Sequence, residues 1–256
     1  MKREKSFRVF IIYALLLQFM VLVSQQAYIQ RSLPDIRKNY NTRDATVQVV
    51  ISFAEIGETE SVMVAYTGTG TVIAENDDDV YVLTAQHVCA PAVSSPAAKQ
   101  YGLEPVLEIY DVDGSYHDAD VILLATYDDL CVIKFTDESY GYREVAHVSS
   151  TPPTPDSQAH MYAAPSGFYV PSAITKFSGT FAGNARLAYA PASGVYTIPA
   201  AGGSSGAAII NKDGEIIGVL HSTLVDFHHI SLASTYEATI DFIKELELQE
   251  GIMILD

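Results

Sequence analysis

Ala201-Gly202-Gly203-Ser204-Ser205-Gly206-Ala207-Ala208-Ile209-Ile210-Asn211 sets two adjacent serines between glycines and follows them with a short apolar run. A small-residue turn feeding a strand is what an exposed serine nucleophile needs. Glycine permits tight backbone, partly at φ > 0, that aims consecutive N–H groups at one point. Such donors stabilise the oxyanion formed when a serine attacks a carbonyl. The same Gly-Ser-Ser-Gly also reads as an ordinary flexible turn. The functional reading therefore needs a base and an orienting carboxylate elsewhere in the chain.

The chain has seven histidines. In Tyr81-Val82-Leu83-Thr84-Ala85-Gln86-His87-Val88 an apolar strand ends and a histidine follows on the turn. His117 and the pair His228-His229 lie in more polar surroundings and read as surface residues. Further on, Asp128 and Asp129 open the apolar strand Leu130–Phe135. A carboxylate there can hold the far nitrogen of an imidazole, set its tautomer and stabilise the imidazolium. On the residues alone, Asp128 competes with Asp129, and Ser204 with Ser205.

The rest of the chain is globular in composition: 256 residues, 48% hydrophobic and 18% charged. A net charge of −16 repels a phosphate backbone and speaks against nucleic-acid binding. Residues 1–29 combine a basic start with the apolar run 9–23. They read as a membrane anchor, or as a cleaved signal peptide; the absence of a small-x-small cleavage site favours the anchor. Basic residues ahead of it would place the remainder outside the cytoplasm. Residues 30–44 are polar and read as a linker.

From residue 45 the pattern turns to short strands, among them 46–53, 61–66, 69–74, 80–84 and 130–135. Pro152, Pro153 and Pro155 mark a connection that no sheet interior tolerates. A second strand set follows, with 171–181 and 207–211 among it. Ser234-Thr235-Tyr236-Glu237 has capping-box spacing and opens a C-terminal helix to about residue 248. The expected fold is all-β: two packed antiparallel barrels, about 45–146 and 158–248, with a C-terminal α-helix and a preceding N-terminal hydrophobic helix. Cys89 and Cys131 sit in apolar runs and read as two buried thiols, with one disulfide as the alternative. Neither a metal cluster nor a Gly-rich phosphate loop is evident, so no cofactor is expected.

Four segments together resemble the chymotrypsin-like (trypsin-fold) serine proteases. Thr84-Ala85-Gln86-His87 is similar to their threonine-alanine-x-histidine motif, and Gly203-Ser204-Ser205-Gly206 to their glycine-x-serine-glycine. Asp129-Leu130-Cys131-Val132-Ile133-Lys134 and the hairpin Ile209–Val219 resemble the HtrA/Deg-like branch, as does Gly68-Thr69-Gly70. The resemblance implies six strands in each barrel and an active site in the cleft between them. It selects Asp129 over Asp128 and Ser205 over Ser204. It implies a catalytic triad of His87, Asp129 and Ser205, an oxyanion hole from the N–H groups of Gly203 and Ser205, and endopeptidase activity on protein or peptide substrates. By position, Pro199, Ala200, His221, Ser222 and Thr223 would line the primary pocket. No carboxylate lies there, which favours a small or apolar residue before the cleaved bond. His221 either donates to a substrate side chain or packs near Asp129.

The chain also departs from the pattern. Ser204 stands where many relatives carry the aspartate used in zymogen activation, and Ala207-Ala208 replaces a small-proline pair. Cys89 lies two positions after His87, so the family's common histidine-loop disulfide is not expected. No PDZ domain is expected after the C-terminal helix. The competing functional class is a catalytically weak trypsin-fold protein that serves as a binding or structural module.

Overall fold

The computed structural model describes residues 41–55, 63–137, 144–186, 191–224 and 226–255. The expected N-terminal apolar helix and nearly all of the linker lie outside the described residues. Among those described, no helix is long and apolar enough to cross a membrane.

Seven strands form the first antiparallel sheet: β1 (Thr46–Glu55), β2 (Met63–Asn76), β3 (Asp79–Thr84), β4 (Leu103–Tyr110), β5 (Tyr116–Asp118), β6 (Asp120–Ala125) and β7 (Leu130–Thr136). Their order is β5-β4-β1-β2-β3-β7-β6. Val47, Val49, Ile51 and Phe53 alternate along β1 and enter one core, as period-2 patterning requires. Of the two strands read at 61–66 and 69–74, all that lies within the described residues is one strand, β2. Gly70 keeps it close to its neighbours: a Cβ there would lie 2.5 Å from Val82 and 3.1 Å from Val47.

This lobe is not the expected six-stranded barrel. A seventh strand, β5, adds at one end, and the ladder runs from β5 to β6 without closing. The His117 ring on β5 stacks on Phe135 of β7, with centroids 4.5 Å apart, which curls that end of the sheet inward. His117 is therefore a packed residue and not the surface residue its neighbours suggested.

The second lobe is a closed six-stranded barrel: β8 (Gln158–Ala163), β9 (Thr175–Arg186), β10 (Ala192–Tyr196), β11 (Ala208–Asn211), β12 (Ile216–Leu224) and β13 (Phe227–Ser234), ordered β10-β13-β12-β11-β8-β9. The strand expected from residue 171 starts at Thr175, because Pro171–Ala173 forms a 3₁₀ turn. Ala207 and Ile209 point into the barrel core, while Ala208 and Ile210 join the core of the first lobe. The segment after the serine pair thus has two buried faces, which is why it reads as a continuous apolar run.

Three α-helices complete the described structure: α1 (Gln86–Val93), α2 (Pro96–Gln100) and α3 (Tyr236–Glu250). Phe242, Ile243 and Leu246 seal α3 onto the first core. Its N-cap is Thr235, whose hydroxyl accepts from the Ala238 N–H at 3.2 Å. Ser234, the expected cap, instead accepts from the Val219 N–H at 2.9 Å.

Cys89 and Cys131 are both fully buried, but they are a disulfide and not free thiols. Thr84 pairs with Cys131 across β3 and β7, which brings the start of β7 beside the strand end from which α1 departs. Replacing both cysteines by alanine is expected to cost about 4 kcal/mol in urea unfolding, for a cross-link spanning 42 residues.

On β8, burial and then the Lys176 charge push the His160 pKa down to about 4. The ordinary value is 6.5. A depressed folded pKa means the unfolded chain takes up the proton first. Stability should hold above pH 6.5 and fall progressively towards pH 4, and His160→Gln should flatten that part of a stability–pH curve measured by urea unfolding.

Candidate active site

His87 stands in the first turn of α1, immediately after β3. Asp129 lies in the tight β6–β7 turn at φ 54°, a left-handed conformation that few non-glycine residues adopt. The β3–β7 pairing carries the two together. The backbone N–H of His87 donates to Asp129 Oδ1 at 2.9 Å. Its ring Nδ1 lies 2.8 Å from Oδ2 and 3.1 Å from Oδ1. A carboxylate so placed keeps the proton on Nδ1 and leaves Nε2 as the basic nitrogen. The His87 side chain is 45% exposed and that of Asp129 23%. Burial raises the Asp129 pKa, but the hydrogen bonds and charge of His87, with a smaller contribution from His221, outweigh it and hold the carboxyl below its ordinary range. Asp129 is thus the carboxylate that meets the ring.

The two serines differ sharply. Ser204 is fully buried, and its Oγ accepts from the Ala201 N–H at 3.4 Å. Ser205 is partly exposed. Its carbonyl accepts from the Thr69 N–H of β2 at 2.8 Å. A Cβ on Gly68 would touch both that carbonyl, at 3.2 Å, and Val88 beside His87, at 2.6 Å. Gly206, at φ 90°, presses its backbone against the end of β3: a Cβ would lie 2.0 Å from Thr84 Oγ1, 2.1 Å from Thr69 O and 3.0 Å from Ala85 N. The serine loop is thereby seated on the turn that carries His87. Among the described residues, Ser205 Oγ makes no hydrogen bond to the His87 ring.

The N–H groups of this loop divide into used and unused. Those of Ser204, Gly206 and Ala207 donate to Ala201, Leu220 and Ser204 carbonyls at 3.0, 2.7 and 3.1 Å. Among the described residues, those of Gly203 and Ser205 donate to nothing. Gly203 takes φ 87°, which only glycine adopts freely.

Ala200 and Thr223 are both tied to β13. Ala200 N–H donates to His228 O at 3.0 Å, and Thr223 Oγ1 to Ile230 O at 2.9 Å. Pro199 is half-buried, Ala200 buried and Ser222 exposed. Both His221 ring nitrogens are engaged, Nε2 with Ser193 Oγ at 3.2 Å and Nδ1 with Ser222 Oγ at 2.9 Å. Burial lowers the His221 pKa, Asp129 opposes this and His87 adds to it. His221 therefore lies within electrostatic reach of the His87–Asp129 pair. No group of three or more His, Cys, Asp or Glu among the described residues is arranged to hold a metal ion.

Two contacts of this site are not foreseen in the sequence, and its disulfide is there only the alternative reading of the two cysteines. The Cys89–Cys131 bond lies two residues beyond both His87 and Asp129. The Thr69 hydroxyl and the Ser166 N–H both contact the serine loop. Gly68-Thr69-Gly70 and Pro165-Ser166-Gly167 do carry turn-forming or space-making glycines, but their partners are remote in the chain.

The fold is that of the chymotrypsin-like peptidases. Residues 68–219 match the trypsin-like peptidase domain, and with more than half of its length matched the chain belongs to that family. No curated protein sequence matches the chain.

Gly206→Ala should both strain a positive φ and drive a methyl into Thr84 and Thr69. It is expected to cost about 3 kcal/mol in urea unfolding, whereas Gly202→Ala, with nothing within 4 Å of its Cβ, should be near neutral.

Proposed function

We propose that the chain is a serine endopeptidase in which Ser205 is the nucleophile, His87 the base and Asp129 its orienting partner. The observation that carries this reading is the half-exposed Ser205 flanked by the two unpaired N–H groups of Gly203 and Ser205, on a loop seated against the turn of the hydrogen-bonded His87–Asp129 pair. Ser205 Oγ attacks the scissile carbonyl as His87 Nε2 takes its proton. The developing oxyanion accepts from Gly203 and Ser205 N–H. His87 then protonates the leaving amine, and water cleaves the acyl-enzyme by the same sequence. Asp129 holds the ring through Nδ1 and favours the imidazolium formed midway.

The primary pocket, on this reading, is bounded by Pro199, Ala200, His221, Ser222 and Thr223. With both ring nitrogens engaged, His221 is not free to bind a charged substrate group. The absence of a carboxylate in this set supports a small or apolar residue before the cleaved bond. The basic, then apolar, N-terminus supports an extracytoplasmic placement, either anchored by residues 1–29 or released by cleavage.

The purified chain should label with a fluorophosphonate probe, and Ser205→Ala should abolish labelling while Ser204→Ala, given a fold intact by circular dichroism, should not. Asp129→Asn should lower kcat on an alanine-ending peptide ester by about 10⁴. A folded wild-type chain that neither labels nor hydrolyses would favour a binding module.

A further inference from the structure

We propose that Thr69 is a positioning residue whose side-chain hydroxyl sets the oxyanion site; this rests on the protease reading above. Thr69 is fully buried in β2 of the first lobe. Its hydrogen bonds converge on the serine loop and its surroundings. The backbone N–H donates to Ser205 O at 2.8 Å, and Oγ1 donates to Gly203 O at 2.8 Å. The same Oγ1 accepts from the Ala164 N–H at 3.0 Å. Its carbonyl accepts from Thr84 Oγ1 at 2.7 Å, next to the residues that precede His87.

The two residues whose carbonyls Thr69 holds are the two whose N–H groups stay unpaired. Peptide planarity turns this into an orientation argument. The Gly203 N–H shares its plane with the Gly202 carbonyl and points the opposite way. That carbonyl accepts from Ser166 N–H at 2.5 Å. Ser166 is held in a strained left-handed turn, at φ 55°, just after Ala164. The Ser205 N–H shares its plane with the Ser204 carbonyl, which Ala207 N–H holds at 3.1 Å.

The Thr69 hydroxyl sits at the junction of these restraints. With one oxygen it fixes the intervening Gly203–Ser204 peptide and tethers the Ala164–Gly167 turn that carries Ser166. Losing that hydroxyl frees the Gly203 carbonyl between the two donors and unties the turn that holds the Gly202 carbonyl, while the Ser204 and Ser205 carbonyls keep their backbone partners. A β-branched threonine suits the task, since its stiff χ1 pre-sets the hydroxyl before substrate arrives. In the chain as it folds, an atom from the first lobe thus orients donors that belong to the second.

The test compares wild type with Thr69→Val, which keeps the shape and loses the hydroxyl, and Thr69→Ser, which keeps the hydroxyl. Folding is checked by circular dichroism. The readouts are kcat and KM on a peptide ester and the affinity for a peptide boronic acid, whose tetrahedral adduct places an oxygen in the oxyanion site. Thr69→Val should lower kcat by about 10²-fold with KM within about twofold, and weaken the boronate by a similar factor. Thr69→Ser should restore both to within about threefold of wild type.

An active wild type with Thr69→Val unchanged, or a loss seen chiefly in KM, or a loss that serine does not restore, overturns the proposal. A wild-type chain that fails to label at Ser205 and fails to hydrolyse overturns both this and the protease reading. If Thr69→Val does not fold, Thr69→Ala against Thr69→Ser isolates the hydroxyl in the same readouts.

Discussion

The site depends on one close approach, that of the Gly206 backbone to Thr84, Thr69 and Ala85, where a single methyl group finds no room. This contact joins the loop of one lobe to the strand end of the other. It works because a protein interior is packed to crystalline density, so two surfaces in contact without intervening side chains have little freedom to slide. From that seat the Gly206 N–H reaches Leu220 O, and the Ser205 carbonyl reaches Thr69. The direction of each peptide in the loop then follows from planarity. A pair of unpaired N–H groups survives because the groups around them are satisfied from outside the loop. Buried or half-buried backbone donors without partners are rare in proteins, and where two neighbours share that state the arrangement calls for an acceptor.

The His87–Asp129 half of the site is built on different principles. Asp129 is partly withdrawn from water, which alone would favour its neutral form. Three contacts with His87 reverse this, two from the ring and one from the backbone. The carboxylate therefore stays ionised beside an imidazole that remains accessible to solvent. The Cys89–Cys131 bond ties the segments that follow the two residues, so their separation is restrained covalently behind the hydrogen bonds. His221 stands nearby with its own nitrogens engaged by Ser193 and Ser222, and its burial favours the neutral ring.

The lobes themselves show two ways of burying a sheet. The barrel closes on itself and leaves no unpaired edge. The first sheet stays open and is completed by side chains, with His117 of β5 stacked on Phe135 and α3 packed over the core it shares with β11 and β12. Ile210, Ile216 and Val219 of the barrel belong to that shared core, so neither lobe is sealed without the other.

Much of this was legible in the chain because local rules wrote it. Alternation along Thr46–Phe53 and the change of period after Ser234 both follow from geometry within a few residues. The small-residue turn at Ser205, the histidine after a strand and the aspartate before one are visible as residue types, and the fold sets that serine turn against the turn of the hydrogen-bonded His87–Asp129 pair. What sequence alone could not settle needed partners far along the chain. Packing against Phe135 made His117 a core contact, pairing of β3 with β7 brought Cys89 to Cys131, and the Val219 N–H drew Ser234 away from the helix cap. Thr69 is the clearest case: locally it is one more threonine in a strand, and only the meeting of two lobes gives its hydroxyl Gly203 O and Ala164 N–H as partners. Local propensity and pattern act over a turn or a strand, whereas the direction of a peptide group in a loop is decided by whichever donor or acceptor the tertiary fold carries to it.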